Sequence, residues 1–440
     1  VAEATRPTRT FAPVRFALAR VTLGLNSSPQ GERMPPVPEI PRIISVDDHV
    51  VEPPDLWSSR LPAKWRDRGP RVVRDTAKVH MEGGVFTFER GAADGVPCDF
   101  WLYDDLVYPF PKLSAASGFD NLDNEPVTFD EIRPGTWKQK ERLEDMDANH
   151  TEVSMCFPNV LPRFCGQAFY EREDKELAMA CIQIYNDWMI DEWCAGDGKG
   201  RFIPTTIIPL WDPQLAAREI ERCADKGSHS ITFSENPHPL GLPSVHDKDR
   251  FWDPVFAACE ATDTVLNMHI GSSSKMPSTS PDSPFIVSSV LTFTNSMGSV
   301  VDFLMAGIFQ RFPGLRVAYS EGQCGWVPYV MERADKLWKE RGDTTFGTDL
   351  PLPPSTYVKD HIWFTVFDDE TGLRNRDFIG MDQICFLVDY PHADSTFPHT
   401  YKVAQDIAMH AGLNQEETNK LFRTNAINLY RLDKYLGIEK

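Results

Sequence analysis

A chain of 440 residues, 41% hydrophobic and 25% charged, has the composition of a soluble globular protein and length for one large domain or two to three small ones. Its formal net charge of −19 speaks against nucleic acid or an anionic membrane as partner, since both need basic surface. No apolar run approaches the roughly 20 residues of a spanning helix. Nine cysteines without a C-x-x-C pair do not read as a secreted disulfide framework, so a reducing cytoplasm is the expected location.

Residues 1–42 stand apart from the rest. Residues 1–31 carry Arg6, Arg9, Arg15 and Arg20 against Glu3 alone, and the apolar patch at 16–19 is interrupted by Arg20. An Arg-rich, acid-poor start is sometimes an organellar address. The expected reading is a disordered extension, with Met34, the first methionine, just ahead of a Pro-rich stretch.

The next stretch, Ile43-Ile44-Ser45-Val46-Asp47-Asp48-His49, opens apolar and ends in two acids and an imidazole. Alternation along a strand predicts Ile43, Ser45, Asp47 and His49 on one side and Asp48 on the other. Asp47 and His49 then form an Asp-x-His pair at a strand's C-terminal tip, where parallel α/β folds build their sites. Residues 56–136 follow as an expected cap or lid inserted after this first strand. Alternation around Gly83-Gly84 suggests a hairpin, and Pro97, Pro109 and Pro111 punctuate an aromatic-rich loop.

From Trp137 helical and strand patterns alternate. Helices are expected at 138–149, 173–194, 213–226, 252–261, 297–312, 327–341, 399–411 and 416–430, with a weak one at 371–379. Strands are expected at 152–157, 202–210, 230–234, 264–269, 316–321, 361–367 and 384–389. With the strand at 43 this makes eight, mostly followed by helices, the rhythm of a TIM (β/α)8 barrel. A doubly wound open sheet fits less well, because no glycine-rich phosphate loop follows the first strand. The predicted organisation is an α/β barrel domain over 43–440 with a long insertion after its first strand.

In a barrel, polar residues at the strand tips converge. The tips offer Asp47 and His49, then Glu235, His269, Glu321 and Asp389, with Glu52 and His392 just beyond. Taken singly each has an ordinary explanation: a turn, a satisfied core histidine, a cap, a rim salt bridge. Together, several buried carboxylates demand a cation, and imidazole with carboxylate is the ligand set of zinc, iron and manganese. Asp47, His49, His269 and Asp389 are therefore the expected metal ligands.

The sequence at this point resembles the amidohydrolase superfamily, in its amidohydrolase-related branch that includes aminocarboxymuconate semialdehyde decarboxylase. The resemblance covers most of 43–432 and rests on residues 45–53, on Asn267-Met268-His269-Ile270-Gly271, on Glu321-Gly322-Gln323-Cys324-Gly325-Trp326, on residues 388–395 around Asp389-Tyr390-Pro391-His392, and on Asn425-Ala426. It implies a divalent metal held by Asp47, His49, His269 and Asp389, a metal-activated water or a metal-oriented carboxylate, and proton transfer by Asp389, Glu321 or His392. Two departures stand out: the usual His-x-His is Asp47-x-His49, and a histidine usual after the sixth strand is replaced by Glu321. More carboxylate hardens the site toward manganese or iron over zinc. It also makes Glu52, Glu235 and Glu321 candidate ligands of a second ion. Arg163, Phe164, Gln167 and Trp326 are candidate substrate contacts. The expected protein is a metal-dependent hydrolase or non-oxidative decarboxylase of a small organic molecule, with a dinuclear iron or manganese oxygenase as the alternative, working as a homo-oligomer, commonly a dimer in such barrels.

Overall fold

Parallel strands and the helices between them build most of the fold. The structure, a computed structural model, describes residues 38–82, 85–342 and 350–439. The expected extension therefore lies outside the described residues up to position 37, as do Gly83 and Gly84.

The strands in chain order are β1 (Ile43–Val50), β2 (Arg71–Glu82), β3 (Val85–Arg90), β4 (Val96–Tyr103), β5 (Leu106–Pro109), β6 (Thr151–Pro158), β7 (Phe202–Ile203), β8 (Ser230–Ser234), β9 (Val265–His269), β10 (Val317–Ser320), β11 (Ile362–Val366) and β12 (Ile384–Phe386). Eight of them form two parallel sheets, β1-β6-β7 and β12-β11-β10-β9-β8. A parallel bridge between Thr206 and Ile231 carries the pairing from the segment after β7 to β8. At the other end the Asp389 amide donates to the Asp47 carbonyl (2.9 Å) and the His49 amide to the Tyr390 carbonyl (2.7 Å), joining the chain after β12 to β1. The remaining strands make an antiparallel sheet, β3-β2-β4-β5, between β1 and β6 in sequence. It packs on the parallel body through Trp101 and Tyr103, edge-on to Trp57 and Phe169 respectively.

The parallel strands are apolar on both faces, as strands covered on both sides must be. Ile44, Val46, Val153, Met155, Ala318 and Cys385 meet one another and the C-terminal Ile427 and Tyr430 in one core. Ile43, Ile231, Phe233, Leu266, Val317 and Tyr319 pack instead with helix residues such as Ile220, Phe256 and Phe303 in another. The split corrects the expected alternation. Ile43 belongs to the outer layer, Ile44 and Val46 to the inner, and pairing with β6 shifts register between Ser45 and Asp48. The irregularity resets the faces, so that Asp47 and His49 turn inward beyond Val46 while Asp48 points away.

Other boundaries moved for local reasons. The strand expected at 202–210 pairs as β7 only over its first two residues; Pro204 and Pro209, which donate no N–H, lie in the rest. The helix expected at 297–312 runs Thr294–Met305 and resumes at Ile308–Arg311, interrupted by Gly307 at φ +66°. The expected 416–430 helix widens to a π turn at Lys420–Thr424. A further helix, Phe285–Leu291, was not expected. All nine cysteines are free and buried. Among the described residues no helix is long and apolar enough to cross a membrane.

The β1–β12 seam carries a buried acid, Asp48, within the field of a buried base, Arg142. The Asp48 carboxylate accepts from the Tyr390 amide (3.0 Å) and the Ser154 hydroxyl. Arg142, 1% exposed, donates to the His49 carbonyl (2.6 Å) and the Gly135 carbonyl (2.6 Å) and lies 4.3 Å from the Tyr390 ring centre. Burial pushes the Asp48 carboxyl up to about 6 against the opposing pull of Arg142. Asp48→Ala leaves the buried Tyr390 amide without its acceptor, and is expected to cost about 1–3 kcal/mol by urea denaturation. Asp48→Asn is expected to cost less, because its shape and one acceptor survive.

Candidate metal centre

Four side chains from three distant parts of the sequence meet where β1, β9 and β12 end. One ligand atom from each of Asp47, His49, His269 and Asp389 lies within 4.8 Å of all the others, and all four residues are buried. His49 Nε2 stands 3.0 Å from His269 Nε2, 3.3 Å from Asp389 Oδ1 and 3.7 Å from Asp47 Oδ1. His269 Nε2 is 3.6 Å from Asp47 Oδ1. Register places His269 beside Ser320, so the next residue of that chain, Glu321, arrives at the same spot, its Oε2 3.5 Å from His269 Nε2.

The strand ends are shaped for this. Glu321 and Asp389 have φ of +56° and +58°. The left-handed region costs a non-glycine residue on the order of 1–3 kcal/mol, and such strain persists where surrounding structure imposes it. The Asp389 amide bound to the Asp47 carbonyl and the Glu321 amide bound to Thr365 Oγ1 (2.9 Å) impose it here.

The electrostatics call for a cation. Both oxygens of Asp47 and both of Asp389 are buried and accept no hydrogen bond among the described residues. Burial, then the neighbouring charges of Asp389 and Glu321, holds the Asp47 carboxyl well above the usual range. Burial, then Asp48 and Asp394, does the same to Asp389, and burial, then Asp389, to Glu321. Unpaired buried carboxylates are costly, and a divalent cation removes the cost. The imidazoles suit the same role. Burial lowers His269 to about 3 and His49 well below its usual value, so both rings are neutral. With Nδ1–H donated to the Ile270 carbonyl (2.6 Å), His269 presents the Nε2 lone pair to the centre. Phe164 stacks on the His269 ring, centroids 4.2 Å apart, and closes one side.

His392 lies at the rim. Its ring stacks on His49 at 3.7 Å, Nδ1 is 3.0 Å from Asp389 Oδ1, and Nε2 is 3.4 Å from Asn159 Oδ1. The other expected residues are placed differently. Glu52 accepts from the amides of Asn159 (2.7 Å), Val160 (3.0 Å) and Leu161 (3.3 Å), so its carboxylate anchors the loop after β6. Glu235 Oε1 accepts from the Gly271 amide, Ser273 Oγ and Asn295 Nδ2, while Oε2 is buried without a partner among the described residues. Gln167 is fully buried and bridges the Cys165 amide to the Ser272 carbonyl. Arg163 pairs with Glu171 and Ser274 Oγ. Trp326 donates to the Gly322 carbonyl and lines an open cleft with Gln323, Asp368 and Asp394. Those last three were not singled out in the sequence; only their position just past strand tips could have flagged them.

Comparisons with known proteins give the chain a family and a fold. The sequence profile of the amidohydrolase family matches residues 98–432. A γ-resorcylate decarboxylase of Rhodococcus jostii is 24% identical over 315 residues, covering 67% of this chain and 88% of that protein. One of a Polaromonas species is 25% identical over 259 residues, covering 53% and 72%. Among solved structures, an amidohydrolase of Mycobacterium avium subsp. paratuberculosis superposes with a TM-score of 0.64 at 21% identity, covering 89% of this chain and 99% of that one. A dihydroxybenzoic acid decarboxylase of Polaromonas, solved with manganese and 2-nitroresorcinol, gives 0.57 at 18% identity over 90% and 98%. At these identities the structural likeness is one of fold.

Glu52 yields a pH prediction. Burial pushes its carboxyl up to about 7, above the usual 4.5, against the pull of the amides it accepts from. The folded chain thus binds this proton more tightly than the unfolded one. The resulting stability is full below about 4.5 and is lost as pH rises to about 7, up to about 3 kcal/mol for a shift of this size. Denaturant titrations of metal-free protein are expected to show this fall, and Glu52→Gln to show a correspondingly smaller one.

Proposed function

This chain belongs to the amidohydrolase family, and from that premise we propose that it is a metal-dependent non-oxidative decarboxylase of a small organic acid, with its active centre at the C-terminal ends of a closed eight-stranded barrel. The observation that carries the reading is the group of four buried carboxylate oxygens without hydrogen bonds beside two neutral imidazoles. The barrel reading is supported by the hydrogen bonds at both seams, after β7 and after β12. A cap role for residues 56–136 is supported by the Ser117 amide donating to the Pro391 carbonyl (3.0 Å) and Asn159 Nδ2 to the Ser114 carbonyl (2.8 Å), next to His392.

Asp47, His49, His269 and Asp389 would hold the ion. Manganese is the first choice, because the set is half carboxylate and related decarboxylases have been solved with manganese. Bound there, a divalent ion supplies a Lewis acid that orients and polarises a substrate oxygen. The chain's own residues do the rest. Phe164 covers His269 and keeps water from that side. In the reaction the bond from carbon to carboxylate breaks, carbon dioxide leaves, and the electron pair left on carbon takes a proton. Glu321 Oε2 is the atom that brings it, raised by burial so that it holds a proton. His392, whose Nδ1 stands 3.0 Å from Asp389 Oδ1, is the member of the group at the rim.

Hydrolysis of a carbon–nitrogen or carbon–oxygen bond would use the same centre. The alternative of a two-ion, oxygen-using centre draws on the unpartnered Glu235 Oε2 and the approach of Glu321 to His269. One assay separates the three. Manganese-loaded protein in D2O is given 2,6-dihydroxybenzoate, 5-carboxyvanillate and ring-aminated analogues. The expected result is release of carbon dioxide, one deuterium on the vacated carbon and no dioxygen uptake. Cleavage of the matching methyl esters or carboxamides, given in parallel, with no carbon dioxide from the free acids would overturn the reading in favour of a hydrolase, and dioxygen uptake in favour of the two-ion centre. Asp389→Ala is expected to lose manganese and to lower turnover about 100-fold or more; a fully active variant would defeat the assignment.

A further inference from the structure

Beside the proposed centre, the loops after β10, β11 and β12 enclose an open cleft of about 490 Å³. Its charged groups are all carboxylates, beside the Gln323 amide and the Thr371 hydroxyl. Gln323, 8% exposed, donates its Nε2 to Asp368 Oδ1 (3.1 Å) and leaves Oε1 without a hydrogen-bond partner among the described residues. Asp368 and Asp394 line the cleft and form no ion pair among the described residues, and burial lifts both carboxyls above their usual value. Two neighbouring acids are already occupied: Asp369 caps the amides of Cys324, Gly325 and Gly372, and Glu370 pairs with Arg374. No lysine or arginine lines the cleft, whereas Phe293, Trp326 and Phe367 do.

A site with two uncompensated carboxylates, an unpartnered amide carbonyl and aromatic walls is complementary to a donor that carries positive charge. An ammonium group has three donors and no acceptor, and aromatic faces attract it. An anionic ligand would meet repulsion from both aspartates and leave the Gln323 carbonyl unsatisfied. We propose that this cleft is the subsite for a protonated amine borne on an aromatic or apolar frame, so that the substrate of the adjoining centre is an amine-bearing molecule. The claim about substrate rests on the decarboxylase reading; cation binding rests on the cleft alone. The two regions adjoin: Gln323 is two residues beyond Glu321, Asp394 two beyond His392, and the charge of Asp394 acts on Glu321 and Asp389.

The test is calorimetric titration of the full, manganese-treated protein with benzylammonium chloride, benzyl alcohol and sodium benzoate, with manganese content measured on the same samples. Benzylammonium is expected to bind about tenfold or more tighter than benzyl alcohol and more weakly at high salt, while benzoate, which the manganese centre can take, is expected to be unaffected by changes in the cleft. The double variant Asp368→Asn/Asp394→Asn is expected to lose about that tenfold for benzylammonium while keeping its manganese and its affinity for benzyl alcohol. Gln323→Leu is expected to weaken benzylammonium as well. Benzyl alcohol binding as tightly as benzylammonium, or an unaltered double variant, would overturn the proposal. Protein that holds manganese and releases carbon dioxide yet does not prefer benzylammonium to benzyl alcohol would remove the subsite and leave the centre. Protein without manganese that still selects benzylammonium would do the reverse.

Discussion

Buried negative charge without a counter-charge is the constraint on which this structure turns. Asp47 and Asp389 bury four carboxylate oxygens that accept no hydrogen bond among the described residues, with Glu321 beside them. In a low-dielectric interior that arrangement is unfavourable by several kcal/mol per ion unless a cation completes it. Much of the surrounding architecture holds those groups together despite the cost. β1, β9 and the chain after β12 reach one point, two left-handed residues sit at strand ends, and the Asp48 carboxylate, bound to the Tyr390 amide, fastens the seam behind them.

The back of β1 shows why the seam matters. Asp47 and Asp48 are neighbours with opposite environments. Asp48 has the Ser154 hydroxyl, the Tyr390 amide and the charge of Arg142; Asp47 has none of these. The shift in register between Ser45 and Asp48 sends one carboxylate into the centre and the other into the network that positions it. Strict alternation would give the same separation of the two acids but would put Ile43 and Ser45 on the side of Asp47.

Much of this was legible in the sequence because strands covered on both faces are apolar, so a polar residue ending an apolar run stands out. Asp47, His49, His269 and Asp389 were found that way, and the eight parallel strands by the same apolar runs. The bulge was not legible, since alternation assumes unbroken pairing. Nor was the division of labour among acids. Glu52 and Glu321 look alike as carboxylates just beyond strands, yet one is consumed by three backbone amides and the other faces an imidazole. Gln167, expected at the substrate, has both its amide groups spent on tying two loops together. What a loop carboxylate or amide faces is set by tertiary placement, which residue type does not encode.

The replacement of an expected histidine by Glu321 has consequences beyond the choice of metal. A neutral imidazole would leave two carboxylates, Asp47 and Asp389, balanced by one divalent ion. Glu321 adds a third, Glu235 a fourth behind it, and Asp394 and Asp368 continue the series outward through the cleft. Burial lifts Glu235 to about 7 and Glu321 well above its usual value, so part of that charge is held as protons, which gives the centre acid to deliver. The remainder sets the sign of the field at the mouth. On the proposed function a substrate carboxylate would approach through the ion, and on the proposed subsite a positively charged group of the same molecule would be drawn into the acidic cleft. The carboxylate of Glu321 in place of an imidazole and the acids of the cleft thus act in one direction, each adding negative charge at this end of the strands.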